Sequence, residues 1–586
     1  MKLLIPYVKK YKTLFFYLNI TTLLAALSQL SIPLIINYII DDLIVDRDKK
    51  LIYIFSFILL FLGLMDLLMN IVQRYVSIRF SNKIIYDIRQ DVFTILQHQD
   101  LEYYSSETVG QIMARSIYEI TSLRDILTWA YRITFLTVFL FIGSIISMFI
   151  ISPLLSMGFL VIPPILYIYI TRSSESNSKM FYNARYKFGE LNDALAENLA
   201  GIKTVKAFAA EHEQIAFFTQ KNNDYYYASM KTAKVRANMQ PVIVFIISIS
   251  LFALVFLGGY LITIKEITIG NFISFMLLSL QIAIPGRFLG WIGIIVQESN
   301  SAAIRLNEIF HAPIHINEAD KPKNITNISG KITYKDVSFG YPKNNHTLHS
   351  VNLEIPAGQK VALLGETGSG KSTLINLIPR FFDPDQGSIL IDDINTKQFS
   401  LSSLRSHIGI VHQEAFLFTL SIFENIAFGI PNASKEDVIA AAKAAQIHDF
   451  IMTLEKEYDT IVGERGVTLS GGQRQRVTIA RTLLLNPKIL IFDDSVSAVD
   501  PETESKIQEA LEQASFKRTT LVISQRPSSL RYVDRIIVLN KGRIVQDGKH
   551  DTLIKEVGIY RDFINAINSQ IKFMDWDESL TLEEKK

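Results

Sequence analysis

Apolar residues form long runs in the first half of the chain, whereas the second half has short apolar runs between polar residues. A run of about 20 apolar residues can cross a bilayer as an α-helix, which rises about 1.5 Å per residue. The first run is too long for a signal peptide and lacks a small-residue cleavage site, so we expect it to be retained. The pattern predicts six spans, at Leu14–Ile40, Leu51–Val72, Trp129–Ile151, Leu154–Ile170, Pro241–Ile264 and Phe272–Val296.

The breaks and connections between these spans predict their orientation. Short breaks fall at Asp41–Lys50, Ser152-Pro153 and Lys265–Gly270, while the long connections 73–127 and 171–239 continue a helical pattern. The ends of spans 2, 4 and 5 next to the long connections are rich in Lys and Arg, which favours a cytoplasmic location for those ends. We therefore expect spans 2 to 5 to continue as helices well beyond the bilayer into the cytoplasm.

The apolar periodicity changes after residue 310. Residues 311–330 are polar and contain His-Ala-Pro-Ile-His, which predicts a linker between a membrane domain at 1–310 and a second domain at 331–568. In the second domain short β-branched strands alternate with helical segments, which is typical of an α/β fold. The predicted strands are Val361–Leu364, Ile389–Ile391, Ile489–Phe492, Leu521–Ile523 and Ile536–Leu539, and 569–586 is predicted to be a polar tail.

Composition supports a membrane protein and removes several other classes. The chain has 586 residues, of which 49% are hydrophobic, and a mean hydropathy of +0.23. Its net charge is only +2 and the basic residues are dispersed, so we expect no nucleic-acid partner. It contains no Cys, which excludes disulfides, thiolate metal sites and a fused Cys peptidase.

A phosphate-binding motif follows one of the predicted strands. The segment 365–373 matches the P-loop pattern, and it lies between the strand 360–364 and a predicted helix, as the motif requires. Its glycines allow backbone N–H groups to approach phosphate oxygens, and Lys371 supplies charge to the β- and γ-phosphates. The predicted ATP-binding residues are Gly365, Glu366, Thr367, Gly368, Ser369, Gly370, Lys371, Ser372 and Thr373.

Magnesium ligands are expected beside this loop. Ser372 has the hydroxyl that ligates Mg²⁺ in P-loop proteins, and Asp493 follows the buried strand 489–492 with a carboxylate that serves the same ion. We therefore expect ATP and Mg²⁺ as cofactors.

A second motif makes the class of ATPase specific. Leu469 is followed by Ser470, Gly471, Gly472 and Gln473, and this segment resembles the signature of the ABC ATPases. With the six spans, the chain resembles an ABC exporter half-transporter: a helical transmembrane domain followed by an α/β P-loop ATPase domain. The resemblance implies that Tyr341 stacks on adenine, that Gln413 is the Q-loop residue and a magnesium ligand, and that 460–466 and 497–500 are the X-loop and D-loop.

The same resemblance extends to the connections in the membrane domain. It implies coupling helices near Gly110–Arg115 and Glu197–Phe208. By their helical period these segments could equally be plain amphipathic packing, and the sequence does not choose between the two.

Two positions depart from the family's catalytic pattern. Asp494 stands where a hydrolysing member has Glu as general base, and Gln525 stands where it has His near the γ-phosphate. A carboxylate one methylene shorter holds the attacking water at a poor distance, and Gln cannot become cationic. The signature is intact, and in this family Ser470, Gly471, Gly472 and Gln473 bind the ATP held by the partner.

This mixture predicts a quaternary structure. We expect a heterodimer in which this chain retains its own ATP and supports hydrolysis at the Walker site of a second ABC half-transporter. The alternatives are a homodimer that turns over slowly with Asp494 as base and, from another class, an ATP-gated regulatory membrane protein. By resemblance we expect a multi-pass protein of a bacterial or archaeal plasma membrane, with its ATPase domain in the cytoplasm, that exports hydrophobic or amphipathic drugs or lipids.

Two charged residues within the predicted spans are candidates for the substrate pathway. Asp66 and Arg287 each lie about 15 residues into a span that runs inward, so at about 1.5 Å per residue they share a depth of roughly 22 Å. They could pair within the bundle, Arg287 could extend to the inner surface, or both could face the transport cavity.

Overall fold

The chain folds into two compact units. The computed structural model describes residues 3–286, 289–324, 327–341, 344–463, 466–493, 509, 515–523, 530 and 533–566. The membrane unit comprises Met1–His98 and Glu107–Ala312, and the second unit comprises Gln99–Ser106 and Pro313–Lys586. Within the second unit, Asp100 accepts a hydrogen bond from the His315 backbone N–H at 2.7 Å, so a short segment from the first long connection packs with the start of the predicted linker.

The described part of the membrane unit is helical. Its α-helices are α1 (Leu4–Lys10), α2 (Lys12–Tyr38), α3 (Lys49–His98), α5 (Val109–Ala114), α6 (Ile120–Asp125), α7 (Tyr131–Ile151), α8 (Pro153–Phe159), α9 (Ile162–Ala200), α10 (Ile202–Ala207), α11 (Glu211–Thr263), α12 (Ile269–Gly286) and α13 (Leu289–Phe310), while α4 (Leu101–Ser106) belongs to the second unit. Three π-helical turns, at Ile39–Leu43, Arg115–Glu119 and Ile126–Ala130, extend or connect neighbouring helices.

Four described helices are long and apolar enough to cross a membrane. They cover Lys12–Leu43, Lys49–His98, Val109–Ile151 and Pro241–Thr263, which contain or closely match predicted spans 1, 2, 3 and 5. The fourth predicted span is divided between α8 and α9, and the sixth between α12 and α13, with residues 287–288 outside the described chain. Spans 4 and 6 therefore stay predictions.

The long helices confirm that the two long connections are helical over most of their length. Helix α3 has 50 residues and α11 has 53, so at about 1.5 Å per residue each is roughly 75 to 80 Å long. This length exceeds the roughly 30 Å hydrocarbon core by a wide margin. The predicted break at Ser152-Pro153 is also confirmed: the Ser152 hydroxyl accepts the Leu155 N–H as an N-cap, and Pro153 occupies the first turn of α8.

The second unit contains two sheets. Its strands are β1 (Ile332–Tyr341), β2 (Asn344–Ile355), β3 (Lys360–Leu364), β4 (Gln386–Ile391), β5 (Ile394–Asn395), β6 (Ile408–Val411), β7 (Ile489–Asp493), β8 (Thr519–Ile523), β9 (Arg535–Asn540) and β10 (Arg543–Gly548). An antiparallel sheet has the order β2-β1-β4-β5, and a mainly parallel sheet has the order β10-β9-β3-β8-β7-β6. The predicted strand Ile389–Ile391 belongs to the antiparallel sheet, because Ile391 pairs with Ile332 of β1.

Helices and core residues hold these sheets together. The helices are α14 (Lys371–Leu377), α15 (Leu401–Ser406), α16 (Ile422–Ile426), α17 (Lys435–Ala444), α18 (His448–Met452), α19 (Gly471–Leu484) and α20 (His550–Leu553). One apolar core includes β1, β3, β7 and the buried face of α14, and a second lies around α16, α17 and α19. The central strand β3 thus has β8 and β9 beside it and α14 directly after it, which fixes the loop between β3 and α14 in a rigid frame.

Candidate nucleotide site

The P-loop leaves the carboxyl end of the central parallel strand. Strand β3 pairs in parallel with β8 and β9, and β8 pairs in parallel with β7. In open α/β sheets ligands bind beyond the carboxyl ends of such strands. The loop 365–370 and Asp493 at the end of β7 therefore share one edge of the sheet.

Two glycines of this loop are required by the backbone. Gly365 has φ +147° and Gly370 has φ +104°, values that favour glycine. A Cβ at Gly365 would lie 2.2 Å from the Leu539 carbonyl oxygen, and one at Gly370 would lie 2.8 Å from Leu348 Cδ2. The turn between β9 and β10 is hydrogen-bonded to this loop, since the Gly542 N–H donates to the Ser369 carbonyl at 3.0 Å.

The Lys371 side chain lies inside the P-loop. Lys371 is the first residue of α14, its side chain is buried, and its Nζ donates to the Gly365 and Glu366 carbonyls at 2.8 Å each. The loop thus curls around the ammonium group. Thr367 and Gly368 are exposed at the tip, and a Cβ on Gly368 would have no heavy atom within 4 Å, so the tip is open to a phosphate chain.

Ser372 and Asp493 have the chemistry of a magnesium site. The Ser372 hydroxyl donates to Asp493 Oδ1 at 3.5 Å, which places a hydroxyl and a carboxylate side by side next to the loop. Oxygen donors of this kind are the ligands that Mg²⁺ prefers, so these residues fit the ion. Mg²⁺ held by these residues would neutralise charge that develops on phosphoryl oxygens.

Tyr341 lies at the end of β1, close to α14. Its hydroxyl is 3.3 Å from Thr373 Oγ1, and its ring makes edge-to-face contacts with Phe339 and Phe382 at centroid distances of 5.0 Å and 5.3 Å. The ring is part-exposed. These contacts place the aromatic residue near the P-loop helix, and its role toward adenine stays a prediction.

The structure adds a histidine that the sequence pattern did not suggest. Val411 of β6 pairs with Phe492 of β7, so His412 follows β6 at the level of Asp493, directly before the exposed Gln413. Partial desolvation lowers the pKa of His412, and the Asp493 carboxylate acts in the opposite direction. Strand β6 has only four residues, which is why its alternation gave no clear signal.

The signature segment begins a different helix. Ser470 is the N-cap of α19: its hydroxyl accepts the Gln473 N–H at 3.3 Å, and Gln473 Oε1 accepts the Ser470 N–H at 2.8 Å. This capping box leaves the N–H groups of Gly471 and Gly472 without helical acceptors, and the helix dipole favours an anion at that end. Gly471 is exposed, and a Cβ there would have no heavy atom within 4 Å.

Several predicted site residues cannot be placed. Asp494, Gln525, Arg287 and the predicted D-loop 497–500 lie outside the described residues. Asp494 is the next residue in the chain after β7 ends, and Gln525 follows the end of β8 by two positions. Asp66 is described, and it lies on α3 in hydrogen bonds with Gln29 and Asn70.

The geometry defines a P-loop ATPase unit joined in one chain to a helical membrane unit. Two family models agree with this division: the ABC transporter transmembrane region matches residues 15–285, and the ABC transporter model matches residues 348–497. A solved structure of a bacterial Atm1-family ABC exporter with ATP bound superposes with a TM-score of 0.83 at 26% identity, covering 95% of this chain and 98% of that chain.

Three related proteins are similar in sequence to this chain over nearly its whole length. YknV of Bacillus subtilis, an uncharacterized ABC transporter ATP-binding protein, is 36% identical over 567 residues, which are 96% of this chain and 94% of that protein. A putative multidrug export ATP-binding/permease protein of Staphylococcus aureus is 34% identical over 572 residues, 96% and 99% of the two chains. An ATP-dependent lipid A-core flippase of Syntrophus aciditrophicus is 33% identical over 530 residues, 90% and 88%.

The chain belongs to the ABC transporter family and is an exporter with fused transmembrane and ATPase domains. The predicted fold class is therefore confirmed. Membership also means that the ATPase domain binds ATP on the cytoplasmic side and couples its hydrolysis to transport.

Proposed function

We propose that the chain is one half of a heterodimeric exporter whose own Walker site holds ATP and hydrolyses it weakly. The observation that carries this proposal is the contrast between two motifs: the signature at 469–473 is complete, while Asp494 and Gln525 replace the catalytic Glu and His. A partner with Glu and His would hydrolyse ATP against this chain's signature. The site with Asp494 would retain ATP, hydrolyse it slowly and so keep the two ATPase domains together for longer.

The chemistry of the two substitutions supports a weak site. The general base must orient and deprotonate a water for in-line attack on the γ-phosphate, and general acid–base catalysis of this kind contributes about 100- to 10,000-fold to rate. The Asp494 carboxylate is one methylene short of the position where Glu would hold the water. Gln525 can donate a hydrogen bond to phosphate but cannot supply the positive charge of a protonated His.

ATP binding is expected to survive both substitutions. The groups that recognise the phosphates are the loop N–H groups, Lys371, and the pair Ser372 and Asp493, and these are all present. We therefore propose that ATP and Mg²⁺ bind here with ordinary affinity, with Gln413 as a further metal ligand.

For the transported compound we propose hydrophobic or amphipathic molecules, including drugs or lipids. Relatives named as a multidrug export protein and a lipid A-core flippase support this class. We also propose that Asp66 and Arg287 belong to the substrate pathway, because a charged residue within a membrane span is costly to retain without a function. The plasma membrane is the proposed location.

Copurification tests the heterodimer. The tagged chain is coexpressed with the candidate half-transporters of its own genome that have Glu and His at the two catalytic positions, and the mass of the purified assembly is measured in detergent. We expect a one-to-one complex with one such partner. Replacing the partner's catalytic Glu with Gln should abolish most of the ATPase activity, whereas replacing Asp494 with Asn should have a small effect.

The competing homodimer gives the opposite results. It predicts that the chain purified alone forms a dimer with the full ATPase activity of the complex, and that Asp494→Asn removes that activity. Substrate-stimulated uptake into vesicles that requires hydrolysable ATP distinguishes either exporter from an ATP-gated regulatory protein, which would respond to a non-hydrolysable analogue.

A further inference from the structure

One face of α3 carries a row of polar side chains in its membrane half. Residues 66, 70, 73 and 77 recur every three to four positions, so they share one side of the helix. Toward the cytoplasmic end the same face becomes apolar and is fully buried, with Ile84, Ile88 and Val92 in the core of the membrane unit. The polar row therefore faces neighbouring helices of the unit.

The inner part of this row is paired within the protein. Gln73 is buried, donates to the Thr22 hydroxyl and accepts a hydrogen bond from Arg132 at 3.3 Å. The Ser77 hydroxyl donates to the Thr128 carbonyl at 2.9 Å. Such interhelical hydrogen bonds stabilise helix packing in membranes, and they explain these residues fully.

The outer part of the row is only partly paired. Asp66 Oδ1 accepts from Gln29 Nε2 at 3.0 Å and from Asn70 Nδ2 at 3.1 Å, whereas Oδ2 has no hydrogen bond or ion pair within the described residues. Gln281 of α12 donates through Nε2 to the Gln29 carbonyl at 2.7 Å, and its buried Oε1 has no hydrogen-bond partner among the residues that the structure describes. Both residues bonded to Gln29, Asp66 on α3 and Gln281 on α12, thus have an acceptor oxygen without a partner in the described part of the chain.

The unpaired acceptor oxygens of Asp66 and Gln281 indicate which chemical groups a ligand at this position would need. Asp66 lies about 17 residues into α3, roughly 26 Å along the helix, so it is inside the membrane. A carboxylate there is costly unless a cation or several donors compensate it, and an unpaired buried amide oxygen adds to the cost. A ligand that carries positive charge and at least two N–H donors satisfies both oxygens.

We propose that Asp66 and Gln281, positioned by Gln29, form a binding site for amphipathic cations with N–H donors. The proposal rests on the proposed export of amphipathic compounds, and it specifies the substrate class and the residues that select it. A purely structural role for Asp66 would require only its contacts with Gln29 and Asn70, which a neutral Asn could also make through its carbonyl oxygen at lower desolvation cost.

Equilibrium binding of three probes tests this site. The full-length chain is purified in the assembly in which it is isolated, and binding is measured without ATP for ethidium, a hydrophobic cation with amino groups, tetraphenylphosphonium, a cation without N–H donors, and Nile red, which is neutral. We expect Asp66→Asn to weaken ethidium binding about tenfold, because a charge-assisted hydrogen bond is lost, and to leave Nile red binding unchanged.

Two further variants separate selection from packing. Gln281→Leu should weaken ethidium about threefold and leave tetraphenylphosphonium unchanged, because Gln281 contributes an acceptor and no charge. Asp46→Asn, which removes the same charge from the loop between α2 and α3, is the matched control and should alter no probe.

Four results would overturn the site: no saturable ethidium binding by the parent chain, unchanged binding in Asp66→Asn, unchanged ethidium binding in Gln281→Leu, or equal loss of ethidium and Nile red. Because none of these measurements requires ATP or a particular partner, failure of the binding site is distinguishable from failure of the heterodimer.

Discussion

Two helix N-termini in the ATPase unit, at α14 and α19, differ in how they are capped. Helix α14 begins after Gly370 with no side-chain cap, and Lys371 fills the loop in front of it. Helix α19 begins after Ser470 with a complete capping box. First-turn backbone N–H groups have no helical acceptor at either end, but only at α19 does a capping box of side chains fix the start of the helix.

The difference indicates how each motif is stabilised. At the start of α14 the described residues provide no side-chain cap, so we expect phosphate affinity to depend on the charge of Lys371 and the fixed glycine geometry. At α19 the cap already stabilises the helix, so the segment is formed before any phosphate of a partner reaches it. If the signature completes the Walker site of a partner, as proposed above, a preformed helix end favours that role.

The largest effect should come from removing the charge in the P-loop. We expect Lys371→Ala to lower the affinity of the chain for Mg-ATP about 100-fold, because two or more charge-assisted contacts to phosphate are lost. Isothermal titration of the purified full-length chain measures this. Lys335→Ala, on an exposed position of β1, is the control and should have no effect. Wild-type affinity in Lys371→Ala would mean that the loop does not bind phosphate in the expected way.

Removing the signature cap should separate stability from catalysis. The chain offers a matched pair, because Ser421 and Glu424 form a second capping box at α16 in the same unit. We expect Ser470→Ala and Ser421→Ala each to lower the free energy of unfolding by about 1 kcal/mol, the usual value of an N-cap. Only Ser470→Ala should also lower ATP hydrolysis, by about tenfold, since one phosphate donor is lost.

Chemical denaturation and ATPase assays of the assembled transporter give these values. If Ser421→Ala lowers hydrolysis as much as Ser470→Ala, the signature serine acts only as a helix cap. The ATP affinity measured at the Lys371 site should stay unchanged in both variants, because neither serine lies in the P-loop.

The smallest effect should come from repairing one catalytic position. We expect Asp494→Glu alone to raise hydrolysis at this chain's site by less than about fivefold, because Gln525 still lacks the charge of His. Asp494→Glu combined with Gln525→His should raise it further, by more than the product of the two single effects. Single-turnover assays in a complex whose partner site is inactivated measure this. Full activity from Asp494→Glu alone would show that Gln525 is not limiting.

The regular features of the fold were predictable because their signals are local. The five predicted strands, including the one before the P-loop, all lie within observed strands, and the long connections, which the structure divides into several helices, follow from an extended helical pattern. Strands β1, β2, β5, β6 and β10 and the assignment of β4 to a separate antiparallel sheet were not predicted, since strand pairing is a long-range choice that local patterns do not specify.

For the candidate nucleotide site, the sequence predicted which residues take part, and the structure shows how they are arranged. The motif specifies Lys371 and Ser372, but their distances to the Gly365 carbonyl and to Asp493 depend on the pairing of β3, β8 and β7. His412 joins the site for the same reason, through the register of β6 with β7.

The sequence by itself determined the class of the protein, because the apolar runs, the P-loop and the signature are local patterns whose chemistry needs particular residue types at fixed spacing. Only the tertiary structure decided which polar groups are satisfied. In the sequence Asp66 had Arg287 as a candidate partner; in the structure Asn70, one turn along α3, and Gln29 of α2 donate to its carboxylate, and Gln29 also accepts a hydrogen bond from Gln281 of α12. Burial and hydrogen bonding depend on residues far apart in the chain, and a local pattern does not specify them.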